Sequence, residues 1–585
     1  MYGVTLNTLI KTLLNRSGAW AALTTLLAFV ALVLAAWVPN SGIIITALLL
    51  LALLVVGVRH RKGLLHGGRS SDALAAYLVT RFLVLGAVVA QAATTANEVP
   101  MIVLAAFVLG LPMTAETPIR QLRSKARPFS SNLEGVHERI RGAFKYGYLF
   151  PLNFVALVLV VLITPLSQWQ SDLEWLAYVP VVLAVVGVVY AAATLIDLAL
   201  RIRSQLAFEA LIEPALDRLA PVFYLHWHAP AGTAYQIAMW LPYLEKLGVP
   251  FAVIVRTRGN FNDTRELTDR PVIMRESLES LDPLIRPTLK GIFYVNTATR
   301  NSHFIRYSHL THIQLNHGDS DKAPSFNPVF RMFDLDFVAG QAAIDRFAAH
   351  NVKMPDDMFR IVGRPQVEEV EIATQQIGEI AGKSVLYAPT WSGFYEDTDY
   401  SSLRVGPQMV RELLDRGCRV VFRPHPYYRR NPDLVVAANE IERMLAADGA
   451  KTGREHLFGA TATTEMSVFD CFNASDAMIS DVSSVVGDYL FSEKPLAMVA
   501  VTHSAHDFHE EFPMSRSTYL LDGTDASLDA DELSACLDQL LGTDPMREAR
   551  RASKTYYLGD IPAEHYSQRF VDEALAALGT DVAIH

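Results

Sequence analysis

A helical membrane domain followed by two Rossmann-like α/β domains is the architecture this sequence predicts. Three observations carry the prediction. The 585 residues are 51% apolar, and the excess is concentrated before residue 200. Basic residues cluster in alternate loops of that apolar part. From Pro221 onward, short apolar runs alternate with stretches of helical period. A chain of this length has room for about three or four domains, placed here at 1–204, 205–375 and 376–585. A net charge of -10, with no basic patch in the second half, speaks against a nucleic-acid partner.

The spans come in pairs. Ala19–Val38 is uncharged and long enough for a bilayer core, which takes roughly 20 helical residues. Trp20 and Trp37 stand near its ends, where indoles favour the interface. Gly42–Val58 follows the turn Pro39-Asn40-Ser41 as a second span. Ala73–Ala93 and Pro100–Met113 make a weaker pair, and Tyr148–Thr164 and Leu176–Asp197 complete a set of about six. Pro100–Met113 is short, so a re-entrant hairpin is the alternative for the third and fourth. The long first stretch, followed at once by another, is unlike a cleavable signal.

Loop charges give an orientation. Arg59, Arg61, Lys62 and Arg69 follow the second span, a basic run from Arg120 to Lys145 separates the fourth from the fifth, and Arg201 and Arg203 follow the sixth. The opposite loops (Pro39–Ser41, Thr94–Val99, Pro165–Trp175) hold neither Lys nor Arg. The positive-inside rule then places both termini and the whole second half in the cytoplasm of a multi-pass membrane protein. Arg81, inside the third span, either lines a polar site for a lipid phosphate or is paired within the bundle. The three cysteines, Cys418, Cys471 and Cys536, match no zinc or disulfide spacing and read as reduced, packed thiols.

In the second half, strands are expected at 221–227, 250–256, 291–296, 312–318 and 333–340, with a helix at Thr233–Gly248. A second set begins at 384–391 and continues with strands at 418–424, 477–480 and 495–500. Helices are expected between them at Met409–Arg416, Asp433–Ala447 and Val485–Phe491. Alternating βα units imply parallel sheets covered by helices, with sites outside the carboxyl ends of the strands. The two sets meet near Arg360–Ile380, which suggests two lobes facing each other across a cleft.

Two strand ends draw attention. In CRVVFRPHP, Arg423 and His425 are two residues apart on an extended chain and project to one side. Arginine brings a fixed cation for phosphate, and histidine titrates near neutral pH. In AMISDVSS, Asp481, Ser483 and Ser484 open a helix. They either cap it or, with its free N–H groups, hold a pyrophosphate; the neighbouring RPHP favours the phosphate. Upstream, HIQLNHG ends on His317 and Gly318. A histidine there suits a general base for an acceptor hydroxyl, and the glycine permits a sharp turn or a close approach.

NHG (316–318), LYAPTW (386–391), RPHP (423–426) and SDVSSVVGDYLFSEKPLAM (480–498) together resemble the CDP-glycerol glycerophosphotransferases that polymerise teichoic acids. The resemblance covers about residues 220–510. It implies a GT-B fold with the nucleotide on the second lobe. It puts the family's two active histidines on His317 and His425, and its aspartate and serines on Asp481, Ser483, Ser484 and Asp488. Thr390 and Arg423 join them as expected donor contacts, and Lys322 is the match to a family lysine. Asn316 stands where the family usually has Trp, Val482 where it has Tyr, and Asp319-Ser320-Asp321 where Gly-Thr-Pro often follows the histidine.

Other residues carry weaker signals. His226 and His228 share one face, but without a third ligand they suit acceptor contact or packing better than a metal. Trp391 is placed either to stack on a cytosine or to fill the core, and Glu396–Asp399 is either a cation site or a solvated loop. The expected function is transfer of glycerol phosphate, or a related alcohol phosphate, from a CDP-activated donor to a lipid-linked or cell-wall polymer acceptor, with no metal or cofactor beyond the donor. A GT-B glycosyltransferase using a nucleotide sugar is the alternative, and a non-catalytic nucleotide-sensing membrane subunit is the third reading.

Overall fold

The computed structural model describes residues 17–38, 40–61, 64, 77–93, 100–125, 130–136, 146–169, 175–230, 232–393, 399–502 and 505–580. The chain divides into two compact units, one of residues 1–129 and 136–212, the other of residues 130–135 and 213–585.

The first unit is helical: α1 (Ser17–Trp37), α2 (Gly42–Arg59), α3 (Leu78–Ala93), α4 (Pro100–Lys125), α5 (Leu149–Trp169) and the first part of α6 (Tyr178–Leu219). Among the described residues, five helices are long and apolar enough to cross a membrane, and α3, at 16 residues, is shorter. At 1.5 Å per residue α3 reaches about 24 Å against a hydrocarbon core of about 30 Å. The short member of the weak pair is therefore the third helix, not the fourth. α4 runs through Pro112 and Pro118 to Lys125, well past the expected end at Met113. Leu26, Phe29, Ile43 and Val189 point outward and are exposed, as lipid-facing side chains are. Arg81 is buried and paired: it forks onto Glu116 at 2.9 and 2.6 Å, and Asn153 donates to the same carboxylate at 2.7 Å. Glu116 lies beyond the span expected from sequence, which is why the pairing was not legible there.

The second unit contains two sheets. The first has the order β1-β4-β3-β2-β5-β6-β7-β8, where β2 is Phe223–Trp227, β3 Phe251–Val255, β4 Val272–Met274, β5 Gly291–Tyr294, β6 Thr311–Gln314, β7 Leu335–Val338 and β8 Phe359–Ile361. All pair in parallel except β1 (Ser130–Ser131), which runs antiparallel on β4. β1 comes from the loop between α4 and α5, so a piece of the apolar half's own connection closes one sheet edge. Asn132 secures it by donating to the Thr268 carbonyl at 3.1 Å. The second sheet, β10-β9-β11-β12-β13, is wholly parallel, with β9 Ser384–Ala388, β10 Arg419–Phe422, β11 Ala477–Ser480, β12 Leu496–Ala500 and β13 Tyr519–Asp522. Central strands such as FAVIV and LAMVA are buried at every position, as strands covered on both faces must be. This is a GT-B-like pair of Rossmann-like lobes.

Four strands escaped the sequence reading: β1, β4, β8 and β13. The first three have only two or three residues, too few to show a period. The expected helix Thr233–Gly248 is two short ones, Tyr235–Ala238 and Leu241–Glu245, because Pro242 lacks the N–H that would continue the first. The tail does more than end the chain. Its last helix, Tyr566–Ala577, returns to the first lobe, where Phe570 packs on Trp240 at 5.3 Å between ring centres.

Candidate active site

His317 follows β6 on a loop in which Asn316 takes a left-handed φ of 57°. Asparagine tolerates that conformation far better than a bulky aromatic residue. Trp240 donates to the Asn316 carbonyl and holds the turn. The tautomer of His317 follows from its partners. Its Nδ1 lies 2.8 Å from the Val295 carbonyl, which only accepts, so Nδ1 carries the proton. On the other side, Gln236 Nε2 stands 3.4 Å from His317 Nε2. Trp227 Nε1 (3.3 Å) and Asn296 Nδ2 (2.9 Å) both donate to Gln236 Oε1. That fixes the amide orientation, so Gln236 donates and His317 Nε2 offers a lone pair. Burial, ahead of any charge, lowers the His317 pKa and keeps the ring neutral.

His425 is built the opposite way. Its Nδ1 accepts from the Tyr427 backbone N–H at 3.2 Å, so the neutral ring carries its proton on Nε2. Its ring lies nearly parallel to Trp391 at 6.1 Å and edge-on to Tyr427 at 5.3 Å. Burial first, then Lys322 and Arg430, bring its pKa down to about 4. His425 does not titrate near neutral pH as expected; it is a fixed N–H donor. Lys322 reaches it from the first lobe, with Nζ 3.5 Å from Thr390 Oγ1 and 5.1 Å from the Tyr400 ring centre. Burial lowers this lysine to about 8, against the pull of Asp481 and Asp399, so it stays cationic at pH 7.

Three sequence expectations are revised. Arg423 does not project beside His425: its Nη1 donates to the carbonyls of Ala462 and Met466, tying down the turn there. The cations next to His425 are Lys322 and Arg430. Asp481 is fully buried and accepts the backbone N–H groups of Thr390 (2.9 Å) and Ser402 (2.9 Å) and the Ser402 hydroxyl (2.9 Å). It shapes the loop that ends in Thr390 and Trp391, and burial raises its pKa to about 6. Asp488 is taken by Arg364 in a two-pronged pair of 2.8 and 2.9 Å, a partner the sequence reading missed because 124 residues separate them.

Ser483 and Ser484 begin α8 (Ser484–Tyr489), and Ser483 makes no side-chain cap, which leaves its hydroxyl to other partners. Here the two lobes meet. A Cβ at Gly318 would stand 3.0 Å from Ser484 Oγ. Gly318 has no left-handed φ; the turn belongs to Asn316, and the glycine serves close approach. The Asp319-Ser320-Asp321 stretch is anchored by Arg346, at 2.5 Å to Asp319 and 3.2 Å to Asp321. Glu396 and Asp397 lie outside the described residues, and Asp399 pairs with Arg404 at 2.8 Å.

Residues 361–512 match the family described as CDP-Glycerol:Poly(glycerophosphate) glycerophosphotransferase. Over this segment the chain is similar to that family. The segment contains His425, Asp481, Ser483, Ser484 and Asp488; His317 lies upstream of it. No curated protein matches the sequence. Among solved structures, the chain is similar to a putative UDP-N-acetylglucosamine 2-epimerase from Listeria monocytogenes (12% identity, 61% of this chain and 97% of that one, TM-score 0.40). It is likewise similar to S. aureus MnaA with UDP (14%, 61% and 97%, 0.41) and to the wall teichoic acid polymerase TagF (13%, 66% and 96%, 0.38). Likenesses at this level say nothing of the substrate. The glycerophosphotransferase family match and the cleft are what bear on chemistry.

Proposed function

We propose that the cleft transfers glycerol phosphate, or a closely related alcohol phosphate, from a CDP-activated donor to a hydroxyl of a lipid-linked or cell-envelope polymer, at the cytoplasmic face of the membrane. The observation that carries this reading is the pair of opposite tautomers: a lone pair on His317 Nε2 and a proton on His425 Nε2. A hydroxyl beside His317 gives its proton to Nε2 as its oxygen bonds to the phosphorus bearing the alcohol. The bond from that phosphorus to the bridging oxygen breaks, and CMP leaves with the electron pair. Positioned general-base catalysis contributes about 10²–10⁴ in rate. His425 Nε2–H, the Lys322 ammonium and the Ser483 and Ser484 hydroxyls suit the pyrophosphate, where donors already in place need not reorganise as charge moves. Trp391, beside His425, is set where a cytosine ring would stack.

β1 supports the placement in the membrane. It lies in sequence between α4 and α5 and pairs with β4 of the first sheet, and the basic residues of that stretch of sequence favour the cytoplasm under the positive-inside rule. The test is CMP release by the purified full-length protein from CDP-glycerol with a membrane-extracted acceptor. Release is the expected result. Failure with every CDP-alcohol tried sinks the reading, and consumption of a nucleotide sugar instead makes the protein a glycosyltransferase.

A further inference from the structure

A carboxylate without a partner lies close to the turn that carries His317. Asp336, on β7, is 1% exposed, and neither of its oxygens accepts a hydrogen bond among the described residues. β7 pairs in parallel with β6, in a register that sets Asp336 beside Gln314. Gln314 is fully buried and points its Nε2 at Asn316 Oδ1 (3.3 Å), so its own Oε1 also lacks a donor. Three acceptor oxygens on adjacent strands thus have nothing to accept from. The nearby cations are committed elsewhere: Arg346 to Asp319 and Asp321, and Arg364 to Asp488. One arginine between two carboxylates, with Asp336 near Asp319, leaves two negative charges in this group uncompensated. Burial first, then Asp319, holds the Asp336 carboxyl far above the ordinary carboxylate range, as expected of a buried acid with no counter-ion.

Asp336 lines a small cavity of about 20 Å3, room for one water-sized particle. The lining brings it together with the oxygen-bearing side chains of Asp319, Asn316 and Ser325, and Phe347 of α7 (Gln341–Ala349) adds an apolar wall. Arg364 also borders the cavity, but its guanidinium is turned onto Asp488 at 2.8 and 2.9 Å. Asn316 and Gly318, on either side of His317, are lining residues too, so the cavity borders the turn that bears the base. A proton on Asp336 would occupy one oxygen and leave the other bare. A cation takes both at once, and an all-oxygen lining with two carboxylates suits a hard divalent ion. A cavity this small has no space for a hydration shell, which Mg2+ gives up reluctantly. Ca2+ accepts irregular sets of protein oxygens and binds a carboxylate through both atoms.

We propose that this cavity binds one divalent cation of the Ca2+ type, held by Asp336 with Asp319, and that the ion secures the turn bearing His317. The proposal goes beyond the transfer reading and does not depend on it. The full-length protein in detergent is stripped with EDTA, exchanged into buffer without chelator, and titrated with Ca2+ and with Mg2+ by calorimetry, beside thermal unfolding of the stripped and loaded forms. The expected result is one Ca2+ per chain, a Tm raised by Ca2+, and weaker binding of Mg2+. Asp336→Asn keeps the side chain's shape and removes its charge. It is expected to lose Ca2+ affinity by at least about tenfold and to lose the Tm gain. Without metal it should unfold above the stripped wild type, because the uncompensated charge is gone. That last measurement separates a lost ligand from a damaged fold. Ca2+ binding that D336N leaves intact, or none by the stripped wild type, overturns the proposal and leaves a water and a proton in the cavity. A stripped D336N less stable than the stripped wild type also overturns it, since Asp336 then serves the fold without metal. Mg2+ bound as tightly as Ca2+ sinks the dehydrated-ion assignment. CMP release enters none of these outcomes, so the transfer reading stands or falls separately.

Discussion

His317 in the first lobe and His425 in the second are both half-buried and both neutral at pH 7, yet they do opposite things with the same ring. A backbone carbonyl, that of Val295, faces Nδ1 of one; a backbone N–H, that of Tyr427, faces Nδ1 of the other. The first contact leaves a lone pair on Nε2 and the second leaves a proton there. Burial sets the charge state, and the nearest main-chain group sets the tautomer. A residue type alone therefore does not say which histidine is base and which is donor.

Removing each ring is the strongest way to break this comparison. His317→Ala is expected to cut turnover by about 10²–10⁴ and to leave donor affinity nearly intact, read as CMP release beside calorimetric titration with a non-hydrolysable donor. A loss of donor binding instead would reverse the two roles.

His425→Ala is expected to weaken donor binding by about 10- to 100-fold, the range for one hydrogen bond to a charged group. The pH dependence sharpens the contrast. Because the His425 pKa lies at about 4, donor binding holds steady through pH 6.5 and changes only near that lower value. The sign for stability runs the same way. A histidine depressed in the folded state loses protons on folding, so stability falls as pH drops from its unfolded value of about 6.5 towards 4. A donor affinity that titrates at pH 6–7 with His425 intact would contradict the fixed-donor assignment.

Gln236→Glu acts on the tautomer of His317 without touching the ring. A carboxylate opposite Nε2 favours the imidazolium, so the acid limb of kcat/KM should move up in pH and turnover at pH 7 should fall about tenfold, the worth of roughly one hydrogen bond. Gln236→Ala should lower turnover without that shift. If both variants have the wild-type profile, the Trp227–Gln236–His317 chain does not set the base.

Gly318→Ala is the mildest change. Its Cβ would press on Ser484 Oγ, and a displacement of a short hydroxyl costs about 1 kcal/mol. A drop of a few-fold in kcat/KM is expected, recovered by pairing it with Ser484→Gly. No recovery would mean that the two lobes do not close on this contact during turnover.

Much of this was legible in the chain. Long apolar runs and short, continuously apolar strand runs are set by burial on all sides, so the long apolar helices and the parallel strands of the two sheets could be read from sequence. The short HG, RPHP and DVSS motifs marked strand ends, and both sheets carry them there. Short strands were not legible, because three residues hold no period. Nor were the partners. Glu116 for Arg81, Arg364 for Asp488, Gln236 for His317 and the Ala462 carbonyl for Arg423 lie from 35 to 124 residues away. Sequence determined that His317, His425 and the Ser483–Ser484 pair follow strand ends. Tertiary structure decided where each arginine points, that Asp481 orders a loop, and which nitrogen of each histidine is bare, because hydrogen-bond direction depends on groups that meet only when the chain is folded.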